Sequence, residues 1–333
     1  MRVLLTGGLG NVGQSAMREL TSRGHTVRCL DLKTKTNLKL ARRLADDPHI
    51  EIAWGDLRRP EDVAAAVHGQ DIVVHLAFIT PKLSATGQES EKRPEWAREI
   101  NVGGTRNLIT AMQAEPVPPR LIFISSLHVY GRTETLPPPR TVSDPVNPVE
   151  HYAQHKVECE RMVRESGLQW VILRLAATMP LAMRLDPGMF DVPLENRMEF
   201  VHTRDVGLAI ANAVDLGAAQ GASTPSQLWG RTLLIGGGPR CQYYYREIAE
   251  RILDGLGIGM LPGAAFSHKP FCTDWLDTQE SERLLHYQQR TLEDYVRDMR
   301  TLLGRRIRLI RMFRPLVRLW LLSKSPYRQP GPA

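Results

Sequence analysis

The chain has 333 residues, 42% hydrophobic and 24% charged, which suits a globular protein with one domain and an appendage or two closely joined domains. Its net charge of +7 belongs to the end of the chain: from Arg305 onward there are eight basic residues and no acid, so the remainder sums to −1. That placement removes the basic balance as a sign of nucleic-acid binding, and no apolar run is long enough to span a bilayer.

The four cysteines, Cys29, Cys159, Cys241 and Cys272, are scattered without a C-x-x-C. They read as reduced thiols, not as a disulfide frame or a metal site. With the first strand opening at Arg2, no secretory leader is expected and the cytoplasm is the expected compartment.

Arg2 to Thr6 is a short apolar run that stops at Gly7-Gly8-Leu9-Gly10-Asn11-Val12-Gly13. Helical spacing then begins with Val12, Ala16, Met17 and Leu20, and a second β-like run, Thr26 to Leu30, ends on Asp31. Strand, glycine turn, helix, strand and acid together form the dinucleotide fingerprint, with glycines 8, 10 and 13 as G-x-G-x-x-G. The first glycines permit a tight turn against the pyrophosphate, and Gly13 permits close packing of helix and strand. Asp31 would accept from the adenosine ribose hydroxyls and repel a 2′-phosphate, which predicts NAD over NADP. Lys33 and Lys35 are the counterweight, since a loop turned back would bring them to such a phosphate.

A helix to about Ala45, a strand at Ile50–Trp54 and a helix opened by Pro60 follow. Asp71 to Ala77 is a near-continuous apolar run, as a strand covered on both faces requires. One helix is predicted through Trp96, Ile100, Leu108 and Met112, then strands at Arg120–Ser125 and Val171–Leu175. The alternation implies an α/β fold, a doubly wound parallel sheet of Rossmann type with a smaller C-terminal substrate-binding part. Pro139 to Pro148 reads as an active-site loop.

Further segments make the pattern specific: Gly55-Asp56-Leu57, His75-Leu76-Ala77, Asn101-Val102-Gly103-Gly104-Thr105, Ser125-Ser126-Leu127-His128-Val129-Tyr130-Gly131, Tyr152-Ala153-Gln154-His155-Lys156 and Phe200-Val201-His202-Thr203-Arg204-Asp205-Val206. With Thr6-Gly7-Gly8-Leu9-Gly10-Asn11-Val12-Gly13 and Arg283 to Glu293, they resemble the extended short-chain dehydrogenases/reductases, the NAD-dependent epimerase/dehydratase family, over about residues 1–300. The resemblance implies a dinucleotide-binding domain of residues 1–175 that also receives 200–236. It assigns 176–199 and 237–303 to substrate and leaves 304–333 as a basic amphipathic tail.

Tyr152 and Lys156 are four apart on one predicted helix, so they share a face. A phenol there is a candidate general acid/base, and a neighbouring ammonium and a bound nicotinamide cation would lower its ordinary value near 10. The resemblance implies that Lys156 also holds the nicotinamide ribose, and that Ser126, rather than its rival Ser125, meets the substrate oxygen. It further implies cofactor contacts from Gly7, Gly10, Asn11, Val12, Gly13, Asp31, Asp56, Leu57, Ala77, Tyr152 and Lys156. Asn101 is read either as holding the site geometry or as a helix-local hydrogen bond. His128, His151 and His155 read as substrate-side or surface groups, with no metal expected.

Where sugar-nucleotide members offer an asparagine and Tyr-Gly-Pro, this chain has Ala176-Ala177-Thr178-Met179-Pro180, followed by apolar Leu181, Met183, Leu185, Met189, Phe190, Val192 and Leu194. These residues read as core packing or as the wall of a less polar pocket.

The expected function is NAD-dependent hydride transfer at a secondary alcohol or ketone of a small molecule. Its alternatives are an epimerase or dehydratase that oxidises a sugar-type substrate transiently, and a dinucleotide-sensing regulator, against which the Ser126, Tyr152 and Lys156 set argues. The resemblance implies a homodimer through the helices at 96–112 and 152–166. In the tail, Arg308, Arg311, Arg314 and Arg318 gather on one side of a helical wheel and Leu309, Met312, Phe313, Leu316 and Trp320 on another, with Pro315 expected to break or kink the helix. Two readings stand: peripheral contact with an anionic membrane, or docking on the protein's own surface or a partner subunit.

Overall fold

The computed structural model describes residues 1–82, 86–182, 187–219 and 227–327. The strands are β1 Arg2–Thr6, β2 Thr26–Asp31, β3 Ile50–Trp54, β4 Ile72–His75, β5 Arg120–Ser126, β6 Trp170–Leu175, β7 Arg197–Glu199, β8 Arg231–Ile235 and β9 Gln242–Tyr244. The helices are α1 Asn11–Ser22, α2 Lys35–Leu44, α3 Pro60–Val67, α4 Pro94–Arg98, α5 Gly104–Gln113, α6 His151–Glu165, α7 Thr203–Ala219, α8 Tyr245–Gly255, α9 Gln279–Leu285, α10 Leu292–Leu303, α11 Arg306–Met312 and α12 Arg314–Leu322.

Seven strands form one sheet in the order β3-β2-β1-β4-β5-β6-β8, parallel at every step. Parallel strands need crossovers, and the crossover helices cover both faces. Burial follows: β4 has no exposed residue, and Val3 to Leu5 of β1 are fully enclosed. One face packs Ala16, Met17 and Leu20 of α1 with Val206, Ile210 and Val214 of α7. The other packs Val63 of α3, Leu108 and Met112 of α5, and Cys159 and Val163 of α6. The strand order reverses direction between β1 and β4, and in open sheets of this kind ligands bind beyond the carboxyl ends at that point.

A second core joins Phe190, Phe200, Tyr245, Ile248, Phe266, Leu292 and Tyr295, with β7 and β9 pairing antiparallel at its edge. Phe190, Val192 and Leu194 are buried in it, and Met179, Leu181 and Met189 pack against it. Most of the apolar run after β6 is therefore core; Met183 and Leu185 lie outside the described residues. All four cysteines are buried free thiols.

The helix predicted through 96–112 is divided. A π-helical turn at Glu99–Gly103 separates α4 from α5, and such turns re-aim the side chains they carry. The segment from Pro139 to Pro148 does not line the cleft described below. It ties β5 to the C-terminal part instead: Asn147 N donates to Val129 O, and Arg140 pairs with Asp274 and Asp144.

Candidate active site

A cleft of about 580 Å³ runs along the carboxyl ends of the sheet, lined from Asp31, Leu32, Asp56 and Leu57 through Gly7, Gly10 to Gly13 and Ala77, to Ser126, Tyr152, Lys156, Leu175 to Thr178 and Pro180.

The glycine turn supplies its floor. Gly7 adopts φ +73° and its carbonyl accepts from Gly10 N at 3.0 Å. A Cβ on Gly7 would lie 2.9 Å from the Ala77 backbone, and one on Gly13 would collide with the Gly7 carbonyl. Only glycine allows this approach of turn, helix and neighbouring strand. Gly8 plays a different part. A Cβ there would meet Cys29 Sγ at 2.6 Å, so Gly8 serves packing on β2. Gly10 caps α1 without a side-chain acceptor, so the first N–H groups of the helix face the cleft at its positive end.

Asp31 closes β2 at one end of the cleft. Its Oδ2 accepts from Leu9 N at 2.8 Å, and its Oδ1 from Asn37 Nδ2 at 3.3 Å. Burial raises its pKa, against the Leu9 N–H, which lowers it. Asn37 also donates to Leu32 O, and its own N–H donates to Thr34 Oγ1, which caps α2. Sequence reasoning missed Asn37, a buried amide that aims the acid. Lys33 and Lys35 are exposed and do not line the cleft. The Asp56 carboxylate is gripped by Arg58, whose hydrogen bonds lower its pKa.

A buried relay supports the middle. Thr6 Oγ1 accepts from Leu76 N and Ala77 N, both at 3.2 Å, and meets His75 Nδ1 at 2.6 Å. The far nitrogen of His75 meets Thr105 Oγ1 at 3.0 Å, and Thr105 donates to Asn101 O. Burial pushes His75 down to about 3, so it is neutral. Asn101, in the π-helical turn, accepts from Ile79 N at 2.7 Å and donates to Ile79 O at 3.1 Å. It therefore pins the loop after β4, and its side chain is not spent on a helix-local hydrogen bond.

The other end gathers Ser126, Tyr152 and Lys156. Ser126 Oγ accepts from His128 N at 3.3 Å, and both Ser126 and Tyr152 line this end of the cleft. Ser125, next door, is engaged elsewhere: it donates to Glu160 at 2.6 Å, and Glu160 is clamped by Arg174. Lys156 Nζ donates to Ile124 O at 2.6 Å and lies 3.4 Å from the centre of the Phe78 ring. Burial pulls Lys156 down to about 7. The chain's own groups shift the phenol of Tyr152 upward. Burial pushes it up to about 12, with the Ser126 side chain lowering it only in part. The ammonium does not reverse this, because it is turned to Ile124 O beneath Phe78.

Sequence reasoning also missed Phe78 and Glu91, and it named His128 without placing it against the phenol. Phe78 and His128 meet the Tyr152 ring edge-on at 5.7 and 5.9 Å. Glu91 accepts from the N–H groups of His151 and Tyr152, so it caps the helix that carries Tyr152 and Lys156. Of the histidines, His128 pairs with Glu150 at 2.7 Å, His155 shares a hydrogen bond with Asn101, and His151 is exposed. Among the described residues, no three His, Cys, Asp or Glu side chains are grouped to hold a metal.

The chain is 34% identical over 169 residues to a 3 beta-hydroxysteroid dehydrogenase/Delta 5→4-isomerase of Mycobacterium tuberculosis, covering 49% of this chain and 42% of that protein. It is 31% identical over 178 residues to the UDP-glucose 4-epimerase of Lactobacillus helveticus, covering 52% and 51%. The chain thus spans about half the length of the curated relatives it matches. Its structure is similar over 92% of its length to DesIV, the dTDP-glucose 4,6-dehydratase of Streptomyces venezuelae, in a double-mutant form with NAD and DAU bound (TM-score 0.73, 26% identity, 98% of that chain). The model of the NAD dependent epimerase/dehydratase family matches residues 3–179, more than half of the sequence, and the chain belongs to that family.

Proposed function

We propose that this protein is an NAD-linked oxidoreductase that transfers hydride at a secondary alcohol or ketone of a small, weakly polar molecule. The observation that carries the reading is the single cleft with Asp31 and the glycine turn at one end and Ser126, Tyr152 and Lys156 at the other. The residues fit a dinucleotide. The cradle at Gly7 and Gly13 has no room for a Cβ, the uncapped N-terminus of α1 offers N–H groups to a pyrophosphate, and Asp31 is held ready for ribose hydroxyls. Exposed Lys33 and Lys35 leave the acid dominant, which favours NAD.

The nicotinamide, when bound, supplies the carbon that gives or takes the hydride. The chain supplies the rest. Tyr152 passes a proton to or from the substrate oxygen, and Ser126 hydrogen-bonds that oxygen where charge develops. Lys156 would hold the nicotinamide ribose hydroxyls, and its ammonium together with the nicotinamide cation would oppose the burial that keeps Tyr152 protonated. Residues 1–175 with 200–236 form the dinucleotide-binding domain, and 176–199 with 237–303 form the substrate-binding part. The wall from Ala176 to Pro180 offers little to a nucleotide sugar, which supports an apolar substrate. The compartment is the cytoplasm, and the subunits pair through the helices at 96–112 and 152–166.

The second reading, an epimerase or dehydratase with transient oxidation, is favoured by the likeness to DesIV over nearly the whole chain. Native mass spectrometry of the purified protein separates the two. Freely exchanging NAD supports the dehydrogenase, and a nicotinamide that resists exchange supports the second reading. Failure to bind either dinucleotide overturns both.

A further inference from the structure

The tail turns its faces in an unexpected sense. Pro315 sits in the first turn of α12 and separates it from α11, so the tail is two short helices. Arg314 and Arg318 are directed to the body, where they donate to the carbonyls of Ile258 and Gly259 just beyond α8. Val317, Leu321 and Leu322 pack beside them on the second core. The opposite face is apolar and open. Leu309, Met312, Phe313, Leu316, Leu319 and Trp320 are each about half exposed or more, with Leu316 at 63% and Trp320 at 52%. Adjacent apolar side chains of this size are rarely left to water without a partner.

We propose that this face lies on an anionic lipid surface. Charge complementarity selects that occupant. From Arg300 to Tyr327 the chain carries arginines and a lysine and no acid. Arg305, Arg308 and Lys324 are exposed on the tail that carries the apolar face, and Lys324 lies over the Trp320 ring at 5.8 Å. Tryptophan and leucine at the acyl boundary with basic side chains at headgroup level is the arrangement of a helix lying in the interface. A second copy would set the same cations against one another. No described helix is long and apolar enough to cross a membrane, so the contact is peripheral.

The docking would also orient the molecule. Just beyond α12, Ser325 donates to Ala265 O and the Tyr327 hydroxyl donates to Asp191 Oδ1 at 2.9 Å. Asp191 Oδ2 lies 3.6 Å from Nζ of Lys82, which lines the cleft. The lipid-facing helices are thereby tied to the cleft's rim.

The test is cosedimentation of the full chain with vesicles of phosphatidylglycerol and phosphatidylcholine in equal parts, against phosphatidylcholine alone. Light scattering and a thermal melt accompany each variant. The full chain is expected to pellet with the anionic vesicles, less so in high salt. Leu316→Glu with Trp320→Glu is expected to weaken this by roughly tenfold or more while the melt holds, because both side chains are exposed. Arg305→Ser with Arg308→Ser keeps the apolar face and is expected to lose the preference for anionic lipid. The proposal is overturned if the full chain stays in the supernatant or if the glutamate variant pellets equally. It is also overturned if the face proves to hold a dimer that the glutamates dissociate without any lipid binding.

Discussion

The two ends of the cleft are built from different materials. Around Asp31 the groups that face a ligand are mostly backbone: a glycine turn, the first N–H groups of α1, and one acid fixed by Leu9 N and Asn37. Around Tyr152 they are side chains brought from β5, the loop after β4 and α6, and burial controls their charge. The first end depends on whether the chain can approach closely, the second on which proton each group keeps. Substitutions at the Tyr152 end should therefore change rate and pH dependence, and those at the Asp31 end should change affinity and cofactor choice.

The largest expected separation is at Tyr152. Tyr152→Phe keeps the ring between Phe78 and His128 and removes only the hydroxyl, so kcat is expected to fall on the order of 10²–10⁴-fold. The dinucleotide dissociation constant, measured by calorimetry, is expected to stay within about twofold if the two ends act independently. A matching loss of affinity would break the comparison.

Lys156 should make the protein's stability depend on pH. Its folded value of about 7 lies well below a lysine's ordinary value near 10.5. Between these values the unfolded chain binds a proton that the folded chain does not, so stability rises with pH across the window. The burial cost is full below pH 7 and is relieved as pH approaches 10, above which Tyr152, held protonated to about 12, pulls the other way. Urea denaturation from pH 6 to 10 is expected to show this rise, and Lys156→Met is expected to flatten it. A rise that survives in the variant would assign it to other groups.

The paired serines sharpen the same point within two adjacent residues. Ser126→Ala removes a donor beside the phenol and is expected to lower kcat on the order of a hundredfold, with stability nearly unchanged. Ser125→Ala removes a donor to the buried Glu160–Arg174 pair and is expected to cost about 1–2 kcal/mol of stability while kcat is spared. Steady-state kinetics and a denaturant melt on both variants distinguish the two roles. The reverse pattern would exchange the serines.

The contrast between the ends also explains what the sequence disclosed. The glycine turn, its strands and Asp31 form one continuous stretch whose local geometry dictates its chemistry, so that end could be read directly. Tyr152 and Lys156 were visible because a helix places residues four apart on one face. Their environment was not visible, because its contributors are remote. Glu91 reaches Tyr152 across 61 positions, and Phe78 covers Lys156 from another element. That remoteness is why the burial that raises the phenol could not be read from the sequence. The π-helical turn escaped notice because apolar spacing from Trp96 to Met112 is equally good for an unbroken helix, and only the demand of the Ile79 backbone for Asn101 reveals it. In the tail, periodicity separated the two faces correctly, yet it could not say which would dock, since the carbonyls that hold Arg314 and Arg318 lie on a distant loop.

The smallest expected effect lies at the backbone end and is the most exacting for the comparison. Asn37→Ala removes the amide that donates to Asp31 Oδ1 and leaves the Leu9 N–H in place. The carboxylate loses its donor at Oδ1 and turns more freely, while Leu9 N and Cys29 Sγ still donate to Oδ2. NAD affinity is expected to weaken by a few-fold, since a single hydrogen bond to a charged group contributes about 1.5–3 kcal/mol at most and the acid remains. NADP should gain nothing, because the negative charge that repels the 2′-phosphate is untouched. Asp31→Asn removes that charge, and relative affinity for NADP is expected to rise. Titration of both dinucleotides on the two variants separates orientation from charge. If Asn37→Ala admits NADP as well as Asp31→Asn does, discrimination rests on the acid's position and not on its charge.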